Sequence, residues 1–174
     1  MTPPAPIAYS IDEPLYLSFC RLAYRRAIAR MAGWAALWIA IALVLLFFAG
    51  FRTVSMLSGV MAGIVAFALV MASRWFVVLP RQARKIYGET AWFQERLELT
   101  ADEQGFTMNQ PSGTLKGKWQ EMVKWDEAPA LLAIYFNRVT AAIVPKTSHS
   151  HEMTNHCRDR LIVSGLPKAG KRRK

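Results

Sequence analysis

Residues of metal-ligating and catalytic type cluster once in this sequence, at His149-Ser150-His151-Glu152 with His156 further along. Glu152 and His156 share a helix face, but the two histidines four residues apart that a metalloprotease helix needs are missing. No serine has a histidine and an acid placed to activate it, and Asp126-Glu127 would point to opposite faces of a strand. The sequence therefore predicts no catalytic residue, no metal site and no cofactor, and we expect the chain not to be an enzyme.

The longest feature of the sequence is an apolar stretch, residues 31–73, in which Arg52 is the single charged side chain. Arg52 divides the stretch into uncharged runs at about 31–51 and 53–73, each roughly 30 Å long as a helix, which matches the hydrocarbon core of a bilayer. We predict an α+β membrane protein with a transmembrane hairpin over 31–79, turning at 50–54. It follows an N-terminal strand and basic amphipathic helix over 1–30.

The net charge of +10 is concentrated at the ends of these runs. By the positive-inside rule both termini are predicted to be cytoplasmic in a two-pass membrane protein. The predicted membrane-surface contacts are Arg21, Arg25, Arg26, Arg30, Arg74, Arg81, Arg84 and Lys85, with Lys171, Arg172, Arg173 and Lys174 of a basic tail over 167–174. For the tail we expect lipid contact or plain solubility and not nucleic acid, because no aromatic residues interleave the basic ones. Cys20 and Cys157 are expected to be free thiols.

Two features of the predicted helices leave alternatives open. Asp12 can cap a helix starting near Glu13, with Pro14 in its first turn. That helix either extends the first span or lies on the anionic leaflet. Small residues recur at four-residue spacing and predict helix packing, either within the hairpin or between two copies through Gly59 and Gly63. The set is Ala32, Ala36 and Ala40 on the first span, and Ser55, Gly59 and Gly63 on the second.

The rest of the chain changes from helical to alternating periodicity after a linker over 80–92. About six short strands are predicted, near 95–100, 106–109, 115–119, 123–126, 131–136 and 139–144, the last two forming a hairpin around Asn137-Arg138. A helix over 152–163 follows, with Gly165 beyond its end. These elements predict a cytoplasmic domain over 93–166, an antiparallel sheet capped by a C-terminal helix.

Three short segments carry a resemblance to a known family: Lys118-Trp119-Gln120-Glu121-Met122-Val123, Leu132-Ala133-Ile134-Tyr135-Phe136 and Ala142-Ile143-Val144-Pro145-Lys146. With the order of elements, they resemble the YcxB-like family of bacterial membrane proteins. The resemblance implies two transmembrane helices and a small domain similar to a pleckstrin-homology (PH) fold, and it implies no activity. The matched positions Trp119, Val123, Tyr135, Ile143, Pro145 and Lys146 are interpreted as structural core. The aromatic residue that often follows the last motif is absent, since Thr147-Ser148-His149 stands there.

Two functions from different classes follow from these predictions. In the first, the domain is a non-enzymatic interaction module that binds a protein or peptide along an open sheet edge or beside the last helix. One version is an immunity protein against a membrane-directed toxin. In the second, the domain binds anionic lipid, with Lys116, Lys118, Lys124 and Arg138 as head-group contacts. A subunit of an enzyme or transporter would need residues from another chain.

Overall fold

The computed structural model describes residues 4–48, 54–137 and 140–169. The chain forms two compact units: a helical unit, Ala23–Gln82, and a β unit made of Met1–Leu22 and Ala83–Lys174. Several predicted features lie outside the described residues, namely the turn after residue 49 with Arg52, Arg138, and the tail residues Lys171, Arg172, Arg173 and Lys174. The side chains of Arg26 and Ser55 also lie outside the described part.

Two long apolar helices begin and end close to where the sequence predicts. Helix α1, Glu13–Phe48, is capped by Asp12, whose Oδ1 accepts the Leu15 amide at 2.9 Å. It runs without interruption through the basic segment and the first apolar run, which favours the extension over a separate surface helix. Helix α2 covers Val54–Ser73. Both helices are long and apolar enough to cross a membrane by length and composition.

The second helix continues well beyond Pro80. A π-helical segment, Arg74–Val78, follows α2, and helix α3, Leu79–Glu89, follows that segment. The Leu79 amide bonds the Arg74 carbonyl, five residues back. Proline has no N–H, and its ring clashes with the carbonyl four residues earlier in a regular helix. The wider π turn just before Pro80 accommodates both defects, so most of the predicted linker over 80–92 is helical.

The groove between the two helices is described for part of the predicted set of small residues. Ala32, Ala36 and Ala40 are exposed, and the groove between α1 and α2 is lined instead by Ala35, Ile39 and Ala42 with Val60, Gly63 and Ile64. A Cβ added to Gly59 or Gly63 would meet no heavy atom within 4 Å, so neither glycine lies at a close helix contact. Packing between two copies through these glycines stays a prediction.

The β unit contains two antiparallel sheets where the sequence predicted one. Strands β1 (Ile7–Ser10), β2 (Arg96–Ala101), β3 (Gly105–Gln110) and β4 (Gly113–Lys118) form the first in that order. Strands β5 (Lys124–Ala128), β6 (Leu131–Tyr135) and β7 (Ala141–Pro145) form the second. A 3₁₀ turn, Trp119–Glu121, connects β4 of the first sheet to β5 of the second. The six strands predicted after the apolar runs are present, and β1 pairs with β2.

Alternating apolar side chains of both sheets fill one core with the last helix. Leu97 and Leu99 of β2 and every residue of β6 are buried. Helix α4, His151–Val163, adds Met153, Cys157 and Leu161 from one face, as its spacing predicts. It ends in a Schellman motif at Gly165, where φ is 67°, with the Leu166 amide bonded to the Leu161 carbonyl at 3.2 Å.

An aromatic cluster joins the start of α1 to the end of α3 within the β unit. The rings of Tyr16 and Phe93 have centroids 4.7 Å apart, and Tyr87 stacks on Phe93 at 6.5 Å. The Tyr87 hydroxyl donates to the Ile11 carbonyl at 3.0 Å. Two chain segments about 75 residues apart in sequence are therefore held together by the apolar contacts that aromatic rings make best.

Candidate functional site

The histidine-rich segment is built into the cap of α4. Ser148–Ser150 forms a 3₁₀ turn, and Ser150 is buried, with its Oγ accepting the Thr147 amide at 2.8 Å and donating to the Pro145 carbonyl. Among the described residues, no group of three His, Cys, Asp or Glu side chains is placed to hold a metal ion. Thr147 and Ser150 form a capping box at the start of this 3₁₀ turn, which connects the end of β7 to the start of α4.

Both cysteines are free and buried. Burial raises the pKa of Cys157 to about 12. The thiolate is the reactive form of cysteine, so Cys157 is held in its inert form. Burial also raises the pKa of Tyr9 above its ordinary range, with a smaller contribution from Cys157, and the Tyr9 hydroxyl stays protonated to donate to the Ile143 carbonyl at 2.8 Å.

Glu127 is the centre of the densest charge cluster of the β unit, which we call the Glu127 cluster: Glu127, Lys146, Arg158 and Lys168. The Lys146 Nζ lies 2.6 Å from Oε1 of Glu127, Arg158 Nη1 lies 3.4 Å from the same oxygen, and Lys168 Nζ lies 3.4 Å from Oε2. The Glu127 side chain is only 17% exposed and that of Lys146 only 23%. The cluster ties β5 to the end of β7, to α4 and to the segment beyond α4. Breaking one partner of such a half-buried pair costs more than losing a surface ion pair.

The acidity of Glu127 reflects this surrounding charge. Burial alone would raise the pKa of Glu127, but the hydrogen bonds and charges of Lys146 and Lys168 outweigh burial and hold the pKa below its ordinary value of 4.5. Asp126 points the other way along the strand, is buried, and accepts the Glu127 amide with Oδ1 at 2.9 Å. The two carboxylates therefore do not act as an acid–base pair.

A lowered pKa makes stability depend on pH in a defined direction. Ionised Glu127 contributes to the free energy of unfolding in full when the pH is above the pKa that Glu127 has in the unfolded chain. That contribution is lost as the pH falls through the lower pKa of Glu127 in the folded chain. We expect the wild-type chain to lose stability more steeply below the ordinary pKa of Glu127 than the Glu127→Gln variant, which cannot titrate there. Thermal unfolding followed between pH 7 and pH 3 checks this, and parallel curves for the two chains would contradict it.

Two of the four predicted head-group residues, Lys118 and Lys124, have partners within the β unit. Lys118 lies 3.7 Å from Glu121 across an exposed pair, and the Lys124 ammonium lies 4.4 Å from the centroid of the Tyr135 ring. Lys116 is exposed on β4. Of the predicted membrane-surface residues, Arg84 pairs with Glu13 at 2.6 Å and Lys85 with Glu89 at 3.9 Å. Arg21, Arg25, Arg30, Arg74 and Arg81 are exposed.

The family-motif residues occupy defined places in the β unit. Trp119 is 2% exposed, packs on Phe106 at a centroid distance of 5.3 Å, and donates from Nε1 to the Asp102 carbonyl at 3.0 Å. Tyr135, Ile143 and Pro145 are buried. Lys146 belongs to the Glu127 cluster, and its amide bonds the Ala130 carbonyl at 2.9 Å.

Val123 does not lie in the core with the other motif residues, since it is 48% exposed. The 3₁₀ turn Trp119–Glu121 changes the alternation by one position, and Met122 is the buried residue instead. Met122 also donates its amide to the Trp119 carbonyl at 3.3 Å, which closes the turn.

The strand edges decide where another chain could add to a sheet. The outer edge of β7 is closed, because Pro145 has no N–H to donate, the Ile143 carbonyl accepts the Tyr9 hydroxyl, and the Pro145 carbonyl accepts the Ser150 and Thr154 hydroxyls. The outer edge of β5 is covered by residues 167–169 in a parallel bridge between Trp125 and Lys168. Sequence reasoning missed both this bridge and the Glu127 cluster, since contacts between residues 19, 31 and 41 positions apart have no local signature.

Comparison with known proteins supports the resemblance seen in the motifs. No curated protein matches the chain. The model of the YcxB-like protein family matches residues 101–152, which run from the end of β2 to the start of α4 and include all three motif segments in whole or in part. The resemblance to the YcxB-like family predicted from the sequence is thus confirmed over residues 101–152.

Proposed function

We propose that this chain is a non-enzymatic interaction module, anchored in a bacterial inner membrane by α1 and α2, whose β unit binds a protein or peptide at the cytoplasmic face. The observation that carries the proposal is the exposure of the helical unit. Trp34, Trp38 and Leu69 are each about two-thirds exposed, on helices that carry apolar residues all round. Helices of that kind are stable in lipid and not in water, whereas the β unit buries a complete core of its own.

The distribution of charge supports the anchoring. All twelve acidic residues lie in the β unit. The charged residues of the helical unit are arginines alone: Arg25, Arg26, Arg30, Arg52, Arg74 and Arg81. The 36 residues of α1 span about 54 Å, more than the hydrocarbon core needs, so its basic first half extends into the headgroup region and beyond.

A topology experiment tests the anchoring. Alkaline phosphatase, which is active outside the inner membrane, is inserted after Phe51, and green fluorescent protein, which fluoresces inside, is fused after Lys174. We expect both reporters to be active, because the charge bias places the connection outside and both ends inside. An inactive phosphatase together with release of the chain from membranes by alkaline carbonate would contradict the membrane hairpin.

The form of the β unit supports a PH-like binding module. Strand β1, which precedes the helices, completes a four-stranded antiparallel sheet with β2, β3 and β4. A three-stranded antiparallel sheet and the closing helix α4 follow β4 in the chain, as we expect of such a domain. Domains of this type bind peptides by adding a strand to a sheet edge, where main-chain hydrogen bonds supply the affinity. The immunity version of this function stays a prediction, as does the identity of the partner.

Deleting the domain separates anchoring from binding. Removal of residues 93–165 is expected to abolish capture of the protein partner while membrane insertion, read by the reporters above, is unchanged. If a stoichiometric partner were still captured, the helices and not the β unit would be the recognition element.

Lipid recognition by the β unit is less well supported as a second candidate. Lys118 and Lys124 are engaged with Glu121 and Tyr135, and the acidic residues of the β unit offset much of its positive charge. Head-group binding through lysines is electrostatic and falls with ionic strength. If the Lys116→Ala and Lys118→Ala variants lost binding of the β unit to phosphatidylglycerol vesicles at low salt, this candidate would replace the first.

A further inference from the structure

The outer edge of β5 is occupied by an extended segment of the same chain. The Trp125 amide donates to the Pro167 carbonyl at 3.3 Å, and the Ala169 amide donates to the Trp125 carbonyl at 2.6 Å. These two bonds form a parallel bridge with Lys168 opposite Trp125. The segment 166–169 therefore adds a short strand to the second sheet, in the manner by which peptides bind sheet edges.

Side chains fix the register of this segment. Leu166 is 6% exposed, and its carbonyl accepts the indole N–H of Trp125 at 3.1 Å. The Lys168 ammonium lies 5.1 Å from the centroid of the Trp125 ring and 3.4 Å from Oε2 of Glu127. The apolar residue of the segment is thus buried, and the basic residue two positions later contacts the face of an aromatic ring and a carboxylate.

The attachment is short enough to be exchanged. Apart from the Leu166 amide, which bonds the Leu161 carbonyl at the end of α4, the segment contacts β5 through the two main-chain bonds to Trp125, one indole bond and the contacts of Lys168 with the Trp125 ring and Glu127. The Lys168 side chain is 44% exposed. Glu127 keeps Lys146 and Arg158 as partners when Lys168 leaves, so no charge is left unpaired and buried. The edge of β7, by comparison, has its carbonyls at Ile143 and Pro145 satisfied by side chains.

We propose that the outer edge of β5 is a strand-binding site for an extended protein segment with an apolar residue at the Leu166 position and a lysine or arginine two positions later. Residues 166–169 occupy this site until such a segment displaces them. The proposal rests on the proposed function, since it names the surface of the β unit at which the partner binds and the chemistry that the partner presents.

The test uses the full chain in detergent micelles and a version shortened after Gly165. The probe is the peptide Leu-Pro-Lys-Ala-amide with fluorescein attached at its N-terminus, which leaves the lysine ammonium free, and binding is followed by fluorescence anisotropy. We expect saturable binding to the shortened chain and binding at least about tenfold weaker to the intact chain, because the tethered segment competes at a high effective concentration. The matched peptide with glutamate in place of lysine is expected to bind about tenfold more weakly, since it faces Glu127.

Absence of saturable binding to a shortened chain with the circular dichroism of the intact one would overturn the proposal. Equal binding of the lysine and glutamate peptides would overturn it as well. If the shortened chain does not fold, the intact Lys168→Glu variant replaces it, and failure of that variant to bind the peptide more tightly than wild type counts against the site. Partner capture after deletion of residues 93–165 tests whether the β unit binds the partner at all, whereas the peptide experiment tests whether it binds at the outer edge of β5. Failure of the proposed function and failure of the proposed site are therefore distinguishable.

Discussion

Replacing Gly105 by alanine is expected to destabilise the β unit on the order of 3 kcal/mol, at the upper end of what overpacking costs. A Cβ at this position would lie 2.2 Å from the carbonyl oxygen of Gly117 and 3.0 Å from the Cα of Lys118. These are backbone atoms of β4, the strand paired with β3, and they cannot move without breaking the ladder. Loss of amide-exchange protection across β3 and β4 in the full chain in detergent measures the effect.

The matched control is Gly113→Ala at the other end of the same strand pair. No heavy atom lies within 4 Å of a Cβ built at Gly113. Alanine loses less conformational entropy than glycine in a strand, so the variant is expected to be neutral or stabilised by up to about 1 kcal/mol. Equal protection in the two variants would show that β3 and β4 do not approach as described.

Replacing Trp119 by alanine is expected to cost about 3–5 kcal/mol, the usual range for an aromatic residue removed from a core. The ring is 2% exposed, packs on Phe106 and donates to the Asp102 carbonyl. Alanine leaves a cavity and an unpaired carbonyl in the turn between β2 and β3. The shift in the urea midpoint of the β unit, followed by near-ultraviolet circular dichroism of the full chain, gives the value.

Two further variants resolve this effect. Trp119→Phe keeps most of the packing and removes the indole N–H, so a loss of about 1 kcal/mol is expected beyond the change in volume. Trp92→Ala removes a ring that is 37% exposed and is expected to cost clearly less than Trp119→Ala. A Trp119→Ala chain as stable as Trp92→Ala would mean that Trp119 is not at the centre of the core.

The strands and helices could be predicted because each has its own regular spacing of apolar residues along the chain. Alternation places β2 through β7 within a few residues of their observed bounds, and Asp12 and Gly165 mark helix ends through hydrogen bonds to nearby residues. Val123 shows the limit of that reasoning, since one 3₁₀ turn reverses which of two neighbouring residues is buried. The π turn before Pro80 is a second case, in which a local breaker is accommodated by a rare helix geometry.

Contacts between segments that are distant in the chain could not be predicted from a single sequence. Glu127 and Lys168 are 41 residues apart, and no spacing rule pairs them. The addition of residues 167–169 to β5 likewise depends on where α4 ends relative to the sheet. Ala32, Ala36 and Ala40 form a regular stripe, yet the helical groove uses Ala35, Ile39 and Ala42, because a helix with apolar residues all round gives no preferred face.

The measurement that tests the central claim most directly is quantitative mass spectrometry of proteins cross-linked to the full chain in its own membranes, comparing Gly105→Ala with Gly113→Ala. Capture is compared under conditions in which amide exchange shows β3 and β4 unfolded in Gly105→Ala and folded in Gly113→Ala. The account predicts that a stoichiometric partner is then captured by wild type and Gly113→Ala and lost with Gly105→Ala, while all three chains stay in the membrane. Equal capture by the unfolded and the folded variant would contradict a module whose folded β unit does the binding, and recovery of lipid alone would favour lipid recognition in its place.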